Sequence, residues 1–370
     1  MDGFVSVPAQ ARARKGRGAI SSPACRYDRF VAVAVDDGWG TLEGDLCDPP
    51  PLRTTLTRDR SRSVIAWNDS PDIGFDRAVN PYRGCEHGCI YCYARPSHAW
   101  LGLSPGLDFE TKLLFKPDAP ALLARELSRP GYVPRPIALG SNTDPYQPVE
   151  RRLRITRAIL EVLLEARHPC TIVTKSALVL RDLDLLAEMA RLRLVRVHLS
   201  VTTLDRRLAR LMEPRAAAPA RRLQAIADLA AAGVPAGVLA APMIPGLNDA
   251  ELESILEAAS RAGATSAAYV LLRLPNELRE LFSEWLQAHY PERAARVLAL
   301  IRDTRAGRLN DPRFGTRFSG EGAYAATLAR RFEIAARRLG LAGPRQGLDC
   351  SRFAPPRRRA TAGERQLALL

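Results

Sequence analysis

Residues 137–202 read IALGSNTDPYQPVERRLRITRAILEVLLEARHPCTIVTKSALVLRDLDLLAEMARLRLVRVHLSVT, and their pattern sets the architecture. Three short apolar runs, Ile137–Ser141, Thr171–Lys175 and Val195–Thr202, have the length and composition of strands. Between them Val149–Ala166 carries Leu153, Ile155, Ile159, Leu160, Leu163 and Leu164 near a helical period, and Leu180–Leu192 reads likewise. Farther along, helical patterns at Ala220–Ala232 and Asp249–Ala262 alternate with strand patterns at Ala236–Ile244 and Ala267–Leu274. Gly233 and Gly263 stop two of these helices, where a left-handed residue is wanted. Toward the amino terminus a further short strand is predicted near Asn80. The alternation recurs about six times at roughly 30-residue spacing, which implies parallel strands with right-handed crossovers. Six units point to a partial (β/α)6 TIM-like barrel; a doubly wound α/β sheet has the same periodicity.

Four regions are expected. Residues 1–60, with poor periodicity and a Pro49–Pro51 run, form a disordered or irregular arm; residues 61–275 form the barrel core. Residues 276–341 read as a helical cover, and residues 342–370 as a basic flexible tail. A chain of 370 residues is long for one ordinary domain of ~150 residues but suits a barrel with extensions. With 46% hydrophobic and 25% charged residues it is neither disordered nor collagenous. No apolar run reaches the ~20 residues of a membrane span, and no secretory leader pattern opens the chain, so a cytoplasmic enzyme is expected. The net charge of +14 is concentrated at the ends, residues 1–24 carrying +3 and residues 342–370 carrying +4. Such ends permit a nucleic-acid or acidic partner. Only four of the 54 basic residues are lysines (Lys15, Lys112, Lys116 and Lys175), so a lysine closing an apolar strand stands out.

The seven cysteines are an odd set: three lie within eight residues, and Cys25, Cys47, Cys170 and Cys350 are scattered. That distribution argues for a metal site in a reducing compartment and against a disulfide framework. The cluster lies in Asn80-Pro-Tyr-Arg-Gly-Cys85-Glu-His-Gly-Cys89-Ile-Tyr-Cys92-Tyr93, a C-x3-C-x2-C spacing. A structural zinc would want a fourth ligand, and His87, tethered between the first two cysteines, closes a tetrahedron poorly. Three thiolates without a fourth suit a cubane cluster with one iron left open.

The C-x3-C-x2-C motif, with Tyr91 before its third cysteine and a repeated β/α region after it, resembles the radical S-adenosylmethionine (SAM) enzymes. The longer stretch NPYRGCEHGCIYCYARPSHAWLGLSPGLDFETKLLFKP resembles the PA0069/Rv2578c-type branch of that superfamily, related to spore photoproduct lyase. The resemblance runs from about Asn68 to Leu341. It implies that Cys85, Cys89 and Cys92 bind three irons of a [4Fe-4S] cluster whose fourth iron takes the amino and carboxylate groups of SAM. It further implies reductive cleavage of SAM to a 5′-deoxyadenosyl radical that abstracts hydrogen from a substrate. A reductant protein such as a flavodoxin or ferredoxin and a monomeric state go with this reading.

Ligand groups in such folds sit at the carboxyl ends of strands. Ser141, Asn142, Thr143 and Asp144 end one strand and can accept hydrogen bonds from the SAM ammonium, although a turn with a helix cap explains them as well. Lys175 closes the next strand, where a lysine either reaches solvent or suits the SAM carboxylate; the resemblance to spore photoproduct lyase-like enzymes implies the latter, with Ser200 on the following strand as its helper. Ala241–Asn248 resembles the apolar stretch that flanks adenine, and Tyr91 is placed to meet adenine through its backbone. His198 and Cys170 read as core residues, Cys25, Cys47 and Cys350 as residues of flexible ends, and Glu213 as half of an ion pair with an arginine. Trp100 and Tyr93 are candidates for the substrate mouth or for core packing. No side chain is singled out as the catalytic acid, base or hydrogen donor.

The substrate is not readable from the sequence. Nucleic acid is one class, through the relation to a repair lyase and the basic ends. A strict lyase assignment is weakened because no cysteine, the expected hydrogen donor, lies in Gly140–Thr143. The rivals are a non-catalytic iron–sulfur or zinc module that binds nucleic acid, and radical modification of peptides or proteins.

Overall fold

Every strand foreseen between residues 77 and 274 is present in the computed structural model, which describes residues 13–28, 52–343 and 347–356. The described strands are, in chain order, β1 (Thr55–Arg58), β2 (Ile65–Trp67), β3 (Arg77–Val79), β4 (Tyr82–Arg83), β5 (Lys112–Phe115), β6 (Ile137–Leu139), β7 (Cys170–Thr174), β8 (Val195–Ser200), β9 (Ala236–Met243) and β10 (Ser266–Leu271). The main sheet runs β10-β9-β8-β7-β6-β3-β2. Its six strands from β3 to β10 are parallel, and β2 adds an antiparallel edge.

That order separates the two architectures left open by periodicity. A doubly wound sheet reverses its strand order at a switch point, whereas here each new parallel strand lies beyond the last. One-way addition curves the sheet into an arc, the partial TIM-like barrel. The parallel strands are mostly buried, β3 and β6 throughout, as parallel strands covered by helices must be. The helices Ile155–Glu165, Leu183–Arg191, Pro219–Ala231 and Leu252–Arg261 supply that cover. Ile159, Leu160 and Leu163 show how: spaced three and four apart, they share one face and are fully buried. The predicted Val149–Ala166 helix is split by a left-handed Arg154 into Glu150–Leu153 and Ile155–Glu165. Gly233 and Gly263 adopt the left-handed conformation expected of them. Three further helices, Leu278–His289, Pro291–Asp303 and Gly322–Arg338, follow the barrel.

The ends depart from expectation where they are described. Residues 13–28 contain no helix or strand, yet Ala19, Ile20 and Cys25 are buried. Cys25, expected in a flexible end, is held there by its thiol donating to the Ala99 carbonyl at 3.2 Å. Residues 347–356 are docked as well: the Asp349 and Ala354 amides donate to the carbonyls of Arg193 and Ala166, and Phe353 packs its ring on Tyr132 and His168. Cys47, Pro49–Pro51 and several of the terminal arginines lie outside the described residues. No helix among the described residues is long and apolar enough to cross a membrane.

Candidate metal centre and cofactor site

The cysteine loop starts from a small second sheet of order β1-β5-β4. Antiparallel pairing of Tyr82 with Phe115 and Arg83 with Leu114 closes the base of the loop that spans residues 84–111. Inside it the Cys85 amide donates to the Phe109 carbonyl at 2.9 Å and the Cys92 amide to the Cys89 carbonyl at 3.2 Å. Arg95, fully buried, organises the rest: it donates to the carbonyls of Cys89, Gly88, Pro105 and Gly106 and pairs with the equally buried Glu110. Glu110 also accepts the amides of Gly18 and Ala19, at 3.0 and 2.8 Å, which fastens residues 18–20 beneath the loop. Gly88 has φ of +67° and a Cβ there would lie 2.7 Å from the Glu110 carboxylate, so the turn needs glycine twice over.

Cys85 and Cys89 are buried and Cys92 is half-buried. Burial, then the carboxylate of Asp144 and the neighbouring thiols, push the Cys85 thiol well up. Burial also raises Cys89, which Lys175 opposes and Glu213 and Cys92 reinforce. Buried thiols so placed ionise when a bound cation compensates them, and thiolate is the soft ligand that iron–sulfur centres use. The alternative of a mononuclear zinc fares worse. His87, the nearest fourth ligand in the sequence, instead turns its Nδ1 to Asp144 at 3.3 Å. The donor set therefore fits a three-thiolate cluster.

Tyr91 is anchored through its hydroxyl. Its hydroxyl donates to Glu213 and lies 3.0 Å from Thr202, while Glu213 is neutralised by buried Arg222. Arg222 also donates to the carbonyls of Ser200 and Ala217, and the Ile90 amide donates to Met212. The segment after β8 thus braces the cysteine loop. The ion pair foreseen for Glu213 is there, but its role as a brace had no sequence signal, because its partners Tyr91, Thr202 and Arg222 lie on three separate segments.

The other predicted residues gather at the carboxyl ends of β6, β7 and β8, and most are engaged within the chain. The Ser141 hydroxyl accepts from the Asn80 amide at 3.1 Å, and the Thr143 hydroxyl donates to the Tyr82 carbonyl at 2.9 Å. Asp144 accepts the Thr174 hydroxyl at 2.7 Å, the Lys175 amide at 2.8 Å and the Tyr146 amide at 2.9 Å. Burial alone would raise its pKa, but His87, Thr174 and the Lys175 amide hold it down at about 2. Ser200 donates to the Ala241 carbonyl at 3.0 Å. The turn reading and the ligand reading of residues 141–144 therefore coincide in space, and the hydrogen bonds present serve the turn. Lys175 differs from its neighbours. Its ammonium lies 5.6 Å from the centre of the Tyr91 ring, beside Cys89, and no carboxylate or carbonyl among the described residues meets it. It is a free cation, within that set, at the rim of the thiols. Asn80, Gln147 and Arg95 were missed by sequence reasoning; each works by bonding backbone, which leaves no spacing pattern.

Residues 79–259 match the model of the radical SAM superfamily. The chain is 39% identical over 232 residues to the uncharacterized protein Rv2578c of Mycobacterium tuberculosis, covering 62% of this chain and 68% of that one. It is 28% identical over 219 residues to the uncharacterized protein MJ0683 of Methanocaldococcus jannaschii, covering 59% and 78%. Among solved structures it is similar in fold to a spore photoproduct lyase double mutant with bound AdoMet and dinucleoside spore photoproduct, with a TM-score of 0.54, 16% identity, and coverage of 77% of this chain and 79% of that one.

Proposed function

The chain belongs to the radical SAM superfamily, and on that basis we propose that Cys85, Cys89 and Cys92 hold its [4Fe-4S] cluster and that Lys175 holds the carboxylate of SAM. The cofactors of this family are a [4Fe-4S] cluster and SAM, and its enzymes generally need a reductant. When bound, they supply one-electron cleavage of the S–C5′ bond, leaving methionine and a 5′-deoxyadenosyl radical that takes hydrogen from a substrate.

The observation that carries the reading is the Lys175 ammonium, unpaired among the described residues, beside Cys89 at the carboxyl end of β7. An unpaired cation at that place attracts an anionic group to the rim of the metal site. The chain's own part is positional. Arg95 and Glu110 fix the loop that presents the thiols, and Asp144 ties the β6 end to the β7 end through Thr174 and the Lys175 amide. Ser141, Thr143, Asp144, Ser200 and the Tyr91 backbone stand around the same strand ends and complete the SAM pocket in this reading. A flavodoxin or ferredoxin as donor and a cytoplasmic, reducing location belong with it.

Spore photoproduct repair itself is not favoured. Residues 140–143 are Gly, Ser, Asn and Thr, and Cys170 lies at the opposite, amino-terminal end of β7. The deciding experiment is 5′-deoxyadenosine formation by anaerobically reconstituted protein given SAM and a strong reductant. Formation that vanishes in Cys92→Ala supports the reading. Full iron and sulfide loading with no SAM binding and no 5′-deoxyadenosine would return the site to a non-catalytic module.

A further inference from the structure

Arg273 follows β10, the last parallel strand, at the same end of the barrel as the cysteine loop. The backbone on either side of it is fixed, the Leu272 amide donating to Met243 at 2.9 Å and the Leu274 amide to Leu309 at 3.0 Å. Leu272 and Leu274 are buried, so the alternation of an extended chain sends Arg273 the other way. There its guanidinium carbon lies 5.5 Å from the centre of the Tyr93 ring and 5.4 Å from that of Phe318. Tyr93 is the residue directly after Cys92, and its hydroxyl donates to the Ser141 carbonyl.

The buried arginines elsewhere are saturated. Arg95 and Arg222 each have a carboxylate, and Arg305 donates to the carbonyls of Leu271, Leu272, Thr316 and Arg317. Arg273 is half-buried, yet among the described residues none of its five N–H donors meets an acceptor. Asp72, the carboxylate within its field, is already gripped by two donors of Arg317 at 2.8 and 2.5 Å. Burial, with Arg317 second, pulls the Arg273 pKa down, against a smaller upward pull from Tyr93 and Asp72. With aromatic rings against it, the guanidinium is left with its N–H edge, the fork that matches an oxyanion.

We infer that Arg273 binds a phosphate of the substrate and that the substrate is a nucleotide or nucleic acid whose base lies on Tyr93. Tyr93 remains 49% exposed and so offers a stacking face. An oxyanion beside an aromatic face is the repeating chemistry of a nucleotide chain. This rests on the proposed function for where the reacting centre lies.

The test is equilibrium binding to wild-type, Arg273→Gln and Arg273→Lys proteins, reconstituted anaerobically. The probe is a fluorescein-labelled single-stranded DNA of about ten nucleotides, with thymidine 5′-monophosphate as competitor. The expected result is affinity reduced about 10- to 100-fold in Arg273→Gln, a smaller loss in Arg273→Lys, and a shallower salt dependence. Competition by the monophosphate would place the substrate among free nucleotides, and binding of the oligomer alone among polymers. Equal affinity in wild type and Arg273→Gln overturns the inference, as does a wild type that binds neither probe. A fall in SAM affinity instead would give Arg273 to the SAM carboxylate. 5′-Deoxyadenosine formation by wild type separates the two claims: present without probe binding, it defeats this inference alone, and absent despite Arg273-dependent binding, it defeats the radical reading alone.

Discussion

At the scale of single residues, the chemistry divides between groups already satisfied and groups waiting for a partner. Cys85, Cys89 and Cys92 are buried or half-buried thiols, the first two held protonated by burial, and Lys175 is a cation without an anion among the described residues. Replacing any one of the three cysteines by Ala should remove the visible absorbance of the cluster and SAM cleavage together; a variant that keeps both has lost no ligand. Lys175→Ala should keep its iron and sulfide and bind SAM about 10- to 100-fold more weakly, the range for one charge-assisted hydrogen bond. An unchanged SAM affinity by calorimetry would make Lys175 a solvent-facing strand end. These four residues were legible in sequence because chemistry announced them: clustered cysteines, and one lysine in a chain that otherwise uses arginine. Arg273 was not, since among 50 arginines nothing local distinguishes the one whose neighbours fail to pair it.

At the scale of elements, the cysteine loop is held by pieces remote in sequence. Arg95 and Glu110 are both wholly inaccessible, and Glu110 joins the loop to Gly18 and Ala19, more than ninety residues away. Glu110→Gln preserves shape and leaves the buried guanidinium uncompensated, so unfolding of the metal-free protein should become easier by about 3 kcal/mol. Thermal melts of equal midpoint for wild type and Glu110→Gln would show that the pair contributes nothing net. The strands and helices themselves were visible as alternating periods, most within a few residues of their observed limits. The irregular segments 13–28 and 347–356 were not. They are held by backbone bonds and a few buried side chains, and such docking leaves no period to detect.

At the scale of the molecule, the docked carboxyl-terminal segment meets the amino-terminal end of β7 around His168. This imidazole is buried, accepts the Tyr132 hydroxyl at 2.8 Å and donates to the Pro169 carbonyl at 3.0 Å. Burial lowers its pKa from 6.5 to about 4. The folded state therefore resists a proton that the unfolded chain accepts. The stability it protects is present above pH 6.5 and is lost as pH falls toward 4, about 3 kcal/mol in all. In His168→Gln, urea-unfolding free energies between pH 6.5 and 4 should depend less steeply on pH; an identical slope would assign acid sensitivity to the carboxylates alone. The alternating β/α order, the clustering of three cysteines and the strand end that carries Lys175 were all legible along the chain. Each is a local pattern, written in residue spacing and composition. Three other features emerged with folding: the strands add in one direction as a barrel arc, His87 serves Asp144 and leaves the thiols alone, and Arg273 meets no counter-charge among the described residues. Those outcomes depend on which distant groups arrive within hydrogen-bond reach, and spacing along the chain does not encode that.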